Sequence, residues 1–173
     1  MTTTPWRIAP ALLALLATKA LAEPTQADLV DRVGAYEALM LDGQVAASLD
    51  YMPPSLLATV AEQAGTDPEG MRKMMREQVQ ASIDGKPLWG AKFEVPLDDL
   101  TIGETDSGRA YAVLASYSAF PSLGIPEVSA PLVALVEDEA WYLVRVESPM
   151  HLQVLAQVYP DLGKVLTGME TPQ

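Results

Sequence analysis

The spacing of apolar residues changes once along the chain, from a helical period in the first half to a strand period in the second. Four helices are predicted in the first half, at residues 25–41, 45–51, 55–64 and 68–83. Thr25 or Asp28 can cap the first helix, and Ser55 can cap the third, which follows a break at Pro53-Pro54. Asp84-Gly85 ends the fourth helix and closes the helical half of the chain.

Beyond Lys86 apolar and polar residues alternate with a period of two. Strands are predicted at residues 89–97, 100–102, 110–120, 128–136 and 141–146. The first of these is half-exposed and is expected at an edge of the sheet. A hairpin turn is predicted at residues 105–108 and another at Glu137-Asp138-Glu139. Ser148-Pro149 then caps a final helix over 149–159, which stops at Pro160.

Helices followed by antiparallel strands and one last helix are typical of the α+β class. We therefore predict an N-terminal layer of three to four helices, packed on a curved four- to five-stranded antiparallel sheet, with a C-terminal helix. Residues 23–165 are expected to form one domain, and 166–173 a loose tail.

This order of elements across residues 26–160 resembles the nuclear transport factor 2-like (NTF2-like) superfamily, also called cystatin-like α+β. The first helix carries Tyr36-Glu37-Ala38-Leu39-Met40-Leu41-Asp42-Gly43, which is similar to the start of many such domains. The resemblance implies a curved sheet wrapped round a long helix and dimerisation through the sheet. It also implies that an enzyme of this kind would use an aspartate with a histidine. The helix after the last strand departs from the simplest version of the fold.

Residues 1–22 have the pattern of a secretory signal peptide. Arg7 supplies the positive charge, residues 8–17 form the apolar run, and Ala20-Leu21-Ala22 places the cleavage before Glu23. The run is shorter than the roughly 20 residues of a membrane-spanning helix, so no stable membrane insertion is expected after cleavage. Retention of the segment as a membrane tether is the alternative. A periplasmic or secreted location is predicted, and the lack of cysteine favours a bacterial periplasm.

The charge balance and the absence of cysteine each exclude some partners or chemistries. The 173 residues include 11 basic and 23 acidic side chains, with a mean hydropathy of +0.13. Two of the basic residues lie in the signal peptide, so nine face 23 acidic residues in the remainder, a net charge of −14. Such a surface repels phosphate backbones, and no nucleic-acid partner is expected. Without cysteine the chain forms no disulfide, thiol nucleophile or cysteine-ligated metal site.

Few residues are candidates for catalysis or metal binding. His151 is the single histidine and is predicted to have a structural role. An alternative is a small isomerase or hydrolase that uses His151 with an acid. A second alternative is a Cu(I) site of Met71, Met74 and Met75, because soft thioether ligands select Cu(I); core packing by these residues is the simpler interpretation. No catalytic residue and no cofactor are predicted.

Three strands, at residues 110–120, 128–136 and 141–146, are apolar on both faces. One face can pack on the helical layer, and the other must be covered by a partner, by the last helix or by the loop 121–127. We therefore predict an exported binding domain for an unidentified protein or a small apolar ligand, with a homodimer through the sheet as one form. Six residues are candidates for a pocket: one tyrosine of the first helix, four aromatic residues of the second half and the single histidine. They are Tyr36, Trp89, Tyr111, Tyr117, Trp141 and His151.

Overall fold

The computed structural model describes residues 23–86 and 88–169. The predicted signal peptide lies outside the described residues. The α-helices are α1 (Gln26–Leu41), α2 (Pro54–Gln63), α3 (Pro68–Ile83), α4 (Pro149–Val158) and α5 (Gly163–Leu166). Three short 3₁₀ helices are η1 (Val45–Tyr51), η2 (Pro121–Leu123) and η3 (Pro160–Leu162). The strands are β1 (Lys92–Glu94), β2 (Gly103–Glu104), β3 (Ala110–Phe120), β4 (Ile125–Glu137) and β5 (Ala140–Arg145).

Side-chain caps explain where three of the helices begin. Thr25 and Asp28 form a capping box at α1, in which each side chain accepts a backbone N–H of the other residue. Asp67 accepts the N–H of Gly70 at the start of α3, and Ser148 accepts that of His151 at α4. The prediction that Ser55 caps α2 is wrong, because α2 begins one residue earlier at Pro54.

The strands form one curved antiparallel sheet in the order β1-β3-β4-β5, with β2 also paired to β3. β3 pairs with β4 from Tyr111↔Leu135 to Ser118↔Val128. β4 in turn pairs with β5, for example at Val136↔Trp141 and Leu132↔Arg145. The long strand predicted at residues 110–120 coincides with β3. The α+β class predicted from the order of elements is confirmed.

The edge beside β3 differs from the prediction. Residues 89–97 and 100–102 were expected to be strands, but only Lys92–Glu94 and Gly103–Glu104 pair with β3. The backbone N–H of Val95 donates to the Glu37 carboxylate of α1, and Pro96 has no N–H to donate. β1 and β2 are therefore two parts of one interrupted edge strand, which makes this edge a poor template for pairing with other chains.

Apolar residues fill both faces of the sheet. The inner face packs on α1 and η1, with Leu29, Val33, Leu132 and Ala134 fully buried. The outer face is covered in part by the C-terminal helices, which bury the residues Val133, Leu135, Val146, Leu155, Tyr159, Leu162 and Leu166. A partner, the last helix and the loop 121–127 were the three alternatives for covering the second face of the sheet. The last helix covers the part of this face that β4 and β5 form.

The packed domain extends further than the sequence predicts. Leu166 is buried in the outer-face core although residues 166–173 were expected to be a loose tail. The reason is that the chain continues after the predicted stop at Pro160 in η3 and α5, which pack against each other and against α4. Within the described part of the chain, no helix is long and apolar enough to span a bilayer.

Candidate functional site

Two of the predicted pocket residues belong to the inner core. Tyr36 packs edge-on against Tyr51 and Phe93, with ring centroids 5.1 Å and 5.4 Å apart. Burial raises the pKa of Tyr36 to about 12, so this hydroxyl stays protonated at neutral pH. Trp141 is also buried, and its indole N–H donates to the Thr25 carbonyl at 2.9 Å, which ties β5 to the start of α1.

The other predicted pocket residues lie elsewhere. Tyr111 and Tyr117 are on β3 at positions that face away from the inner core, because Ala112 and Leu114 occupy the alternate positions. Trp89 is exposed in the turn before β1. His151 is exposed on α4, where its Nδ1 accepts the Glu147 N–H at 3.1 Å. The six residues lie on both faces of the sheet and in two other segments, and they do not line a single cavity.

The three methionines considered for Cu(I) have different environments. Met71 is buried with Leu57 and Ala61, between α2 and α3, and Met75 packs against the same cluster. Met74 is exposed. This distribution is that of a helix with one packed face and one solvent face. No group of three or more His, Asp or Glu side chains within the described ranges is arranged to hold a metal ion.

The acidic turn between β4 and β5 has a structural role that the sequence did not reveal. The Oε1 of Glu137 accepts both the N–H and the hydroxyl of Ser55, at 2.8 Å and 2.7 Å. Its Oε2 accepts the Tyr159 hydroxyl. Burial and this hydrogen bond raise the pKa of Tyr159 above its usual value. One carboxylate thus joins α2 and the chain after α4 to the sheet.

A second polar network lies beside the first. Arg109 stacks over the Tyr159 ring at 4.9 Å and donates to the Val136 carbonyl at 2.7 Å and to Asp161 at 3.0 Å. The same Asp161 oxygen accepts the Ser107 hydroxyl at 2.7 Å. These partners are 22 to 82 residues apart in sequence, so no local pattern could have predicted them. The two polar networks, around Glu137 and around Asp161, make their hydrogen bonds within the fold, and these bonds hold the C-terminal helices on the sheet.

The part of the outer face that these helices leave open is the clearest candidate for binding. We call it the β3 strip: Val113, Ala115 and Tyr117 on β3, with their cross-strand neighbours Pro131 and Ser129 on β4. Val113 is 42% exposed and Tyr117 is 40% exposed, and Ala115 between them is exposed as well. β3 pairs with β4 along its length, whereas β1 and β2 pair only with its two ends, so among the described residues positions 112–116 have a neighbouring strand on one side only. The strip is therefore an apolar surface continuous with the outer-face core.

Opposite charges flank the β3 strip. Glu94 pairs with Tyr117, and Lys92 pairs with Ala119, which places both charged residues on the outer face of β1. Both are exposed. The strip itself has no charged side chain, in a domain whose net charge is −14. A surface of this kind, apolar in the centre and polar at the rim, is typical of protein interfaces.

The fold and this surface define an α+β domain with helices on both faces of a curved antiparallel sheet and one incompletely covered sheet face. Comparison with protein-family models, with curated proteins and with solved structures finds no match to this chain.

Proposed function

We propose that this chain is an exported binding domain that docks on a protein partner through the β3 strip. The observation that carries the proposal is the exposure of Val113, Ala115 and Tyr117 in one row on the outer face of β3, beside the buried outer-face core. Exposed apolar side chains in one row lose their contact with water when a second surface covers them, which favours association. Export rests on the pattern of residues 1–22.

A protein partner fits the observations better than a small apolar ligand. The space between α1 and the sheet, where a ligand would bind, is filled by side chains such as Leu29, Val33 and Leu132, which are fully buried. A pocket for a small molecule normally encloses most of the ligand surface. The β3 strip is an open surface on one sheet face and suits another protein surface.

We further infer that the partner is a second copy of the chain. Two copies with 14 net negative charges each repel one another. The electrostatic repulsion is smallest when the copies meet through a surface without charged side chains. The β3 strip is such a surface. In a two-fold arrangement the same patch meets itself, so Lys92 of one copy can lie opposite Glu94 of the other. The NTF2-like resemblance, which implies dimerisation through the sheet, stays a prediction.

The test compares two valine variants of residues 23–173 by sedimentation equilibrium. Val113→Asp places a carboxylate in the strip, whereas Val30→Asp places one on α1 at a residue with nearly the same exposure, 39% against 42%. Because burial of an unpaired charge is costly, we expect Val113→Asp to weaken self-association about tenfold or more. Val30→Asp should associate like the unsubstituted protein. A monomer at every concentration, or equal effects of both variants, would contradict the proposal.

A further inference from the structure

Three arginines meet at the end of η1. Arg32 of α1 donates through Nη2 to the Asp50 carbonyl at 3.1 Å. From α3, Arg72 donates through Nη1 to the Leu49 carbonyl at 2.9 Å and to the Asp50 carboxylate at 3.1 Å. Arg76, one turn later, donates through Nη2 to the same carboxylate oxygen. We call Arg32, Arg72 and Arg76 the arginine cluster.

The arginine cluster is an excess of positive charge in an acidic domain. It holds three of the nine basic residues of 23–173, and a single carboxylate, that of Asp50, pairs with Arg72 and Arg76. Lys73 lies beside the cluster but has its own partner, Glu77, at 3.9 Å. Glu23, Asp28 and Glu139 line the cleft next to Arg32, but none of the three forms an ion pair with the cluster in the described part of the chain. Two of the three positive charges therefore have no carboxylate in direct contact among the described residues, although three carboxylates lie in the cleft beside Arg32.

The guanidinium groups are held in place and retain free donors. Each uses one terminal nitrogen for the bonds above, and the second terminal nitrogen of each makes no hydrogen bond within residues 23–86 and 88–169. The side chains of Arg72 and Arg76 are 29% and 43% exposed. The Nε groups of Arg32 and Arg76 are shielded from solvent and also have no acceptor among the described residues. Stacking of Arg32 on the Tyr51 ring, at 3.9 Å, restricts it further.

We propose that the arginine cluster is a binding site for a small oxyanion ligand that carries two negative charges, a phosphate or a dicarboxylate. The free terminal nitrogens of Arg72 and Arg76 donate to the ligand oxygens, since planar guanidinium groups bind such oxygens with paired hydrogen bonds. From the protein side, the Asp50 carboxylate contacts both guanidinium groups and competes with the ligand for their charge. This site is independent of the β3 strip.

Charge selects the size of the ligand. A long polyanion such as nucleic acid would meet the negative surface around the cluster and be repelled. A small dianion at Arg72 and Arg76 lies outside the cleft that Glu23, Asp28 and Glu139 line. Salt screens these more distant carboxylates more than the contacting arginines. The site therefore fits a free ligand of a few oxygen atoms.

The first experiment titrates inorganic phosphate into the protein produced from the full chain and follows binding by calorimetry. Sodium chloride at the same ionic strength is the reference, and succinate is titrated in parallel to separate phosphate from dicarboxylate ligands. We expect saturable binding of one anion per chain, stronger for one of the two probes. Loss of a charged hydrogen bond in Arg76→Gln should weaken binding about tenfold, and Lys73→Gln should leave it unchanged. The proposal would be overturned if phosphate and succinate gave the same heats as sodium chloride. It would also be overturned if the unsubstituted protein, Arg76→Gln and Lys73→Gln bound the anion with equal affinity.

A second variant keeps the test decisive if Arg76→Gln does not fold. Asp50→Asn removes the internal carboxylate that competes for Arg72 and Arg76 and keeps the shape of the side chain. Phosphate should then bind severalfold more tightly, because the cluster gains one unit of positive charge. A cluster with only a structural role predicts lower stability of this variant with no gain in phosphate affinity, and that result would refute the site.

Discussion

Asp138 and Glu139 both have positive φ angles, 46° and 62°, in the two-residue turn between β4 and β5. Glu137 and Ala140 pair across this turn, which is the geometry that favours Asn-Gly. A residue with a Cβ is strained there by about 1–2 kcal/mol. The sequence identifies the turn from its acidic residues, but it gives no sign of this strain, since Asp and Glu are compatible with many other turns.

Replacement of Glu139 by glycine should therefore stabilise the fold. We expect the free energy of unfolding to rise by about 1 kcal/mol, because glycine adopts positive φ without the Cβ clash. Glu127→Gly is the matched control: it removes the same charge from an exposed strand position of β4, and it should lower stability by about 0.5–1 kcal/mol. Urea unfolding measures both variants. A loss of stability in Glu139→Gly would show that its side chain contributes more than the strain costs.

At the scale of elements, the agreement between sequence and structure depends on whether the deciding contacts are local. The bounds of α1, α3 and β3 follow from caps and periodicity that lie within each segment. The alternation at residues 89–97 is just as regular, but a strand also needs a partner, and Val95 bonds to Glu37 instead. The six candidate pocket residues lie apart for a similar reason: the sequence indicates that aromatic residues are buried but not which face of the sheet they occupy.

The attachment of the C-terminal helices is an element-scale property that depends on pH. Burial alone would raise the pKa of Asp161, but hydrogen bonds from Ser107 and Arg109, with the charge of Arg109, hold that pKa below its usual value. A lowered pKa in the folded state means that the ionised carboxylate stabilises the fold at neutral pH. This contribution begins to fade below about pH 4, near the pKa of the unfolded chain, and is lost as the pH falls through the folded pKa.

Asp161→Asn should consequently be less stable than the unsubstituted protein at pH 7, by about 1–3 kcal/mol. The difference should shrink as the pH falls from about 5 to 2, because the native carboxylate becomes protonated. Asp106→Asn is the control, since Asp106 pairs with Lys164 where both side chains are exposed and such pairs contribute little. Urea unfolding across this pH range gives the comparison. A constant difference at all pH values would mean that the ionised carboxylate does not hold the helices.

At the scale of the whole molecule, the apolar β3 strip and the net charge of −14 act against each other. Repulsion between two copies extends over about 30 Å at 0.01 M salt and only about 8 Å at 0.15 M. Burial of the strip is a short-range, apolar contribution that these salt concentrations hardly change. The two contributions can therefore be separated by ionic strength.

Self-association of residues 23–173 should strengthen about tenfold when sodium chloride is raised from about 0.01 M to about 0.15 M. Sedimentation velocity over a range of protein concentrations measures the effect, and Val113→Asp should associate about tenfold or more weakly than the unsubstituted protein at both salt concentrations. Weaker association at higher salt would point to the opposite arrangement, in which attraction between charges, such as the arginine cluster of one copy and the carboxylates of another, holds the copies together. In that arrangement Arg76→Gln would disrupt association and Val113→Asp would not, so the two variants identify the surface that the molecule uses.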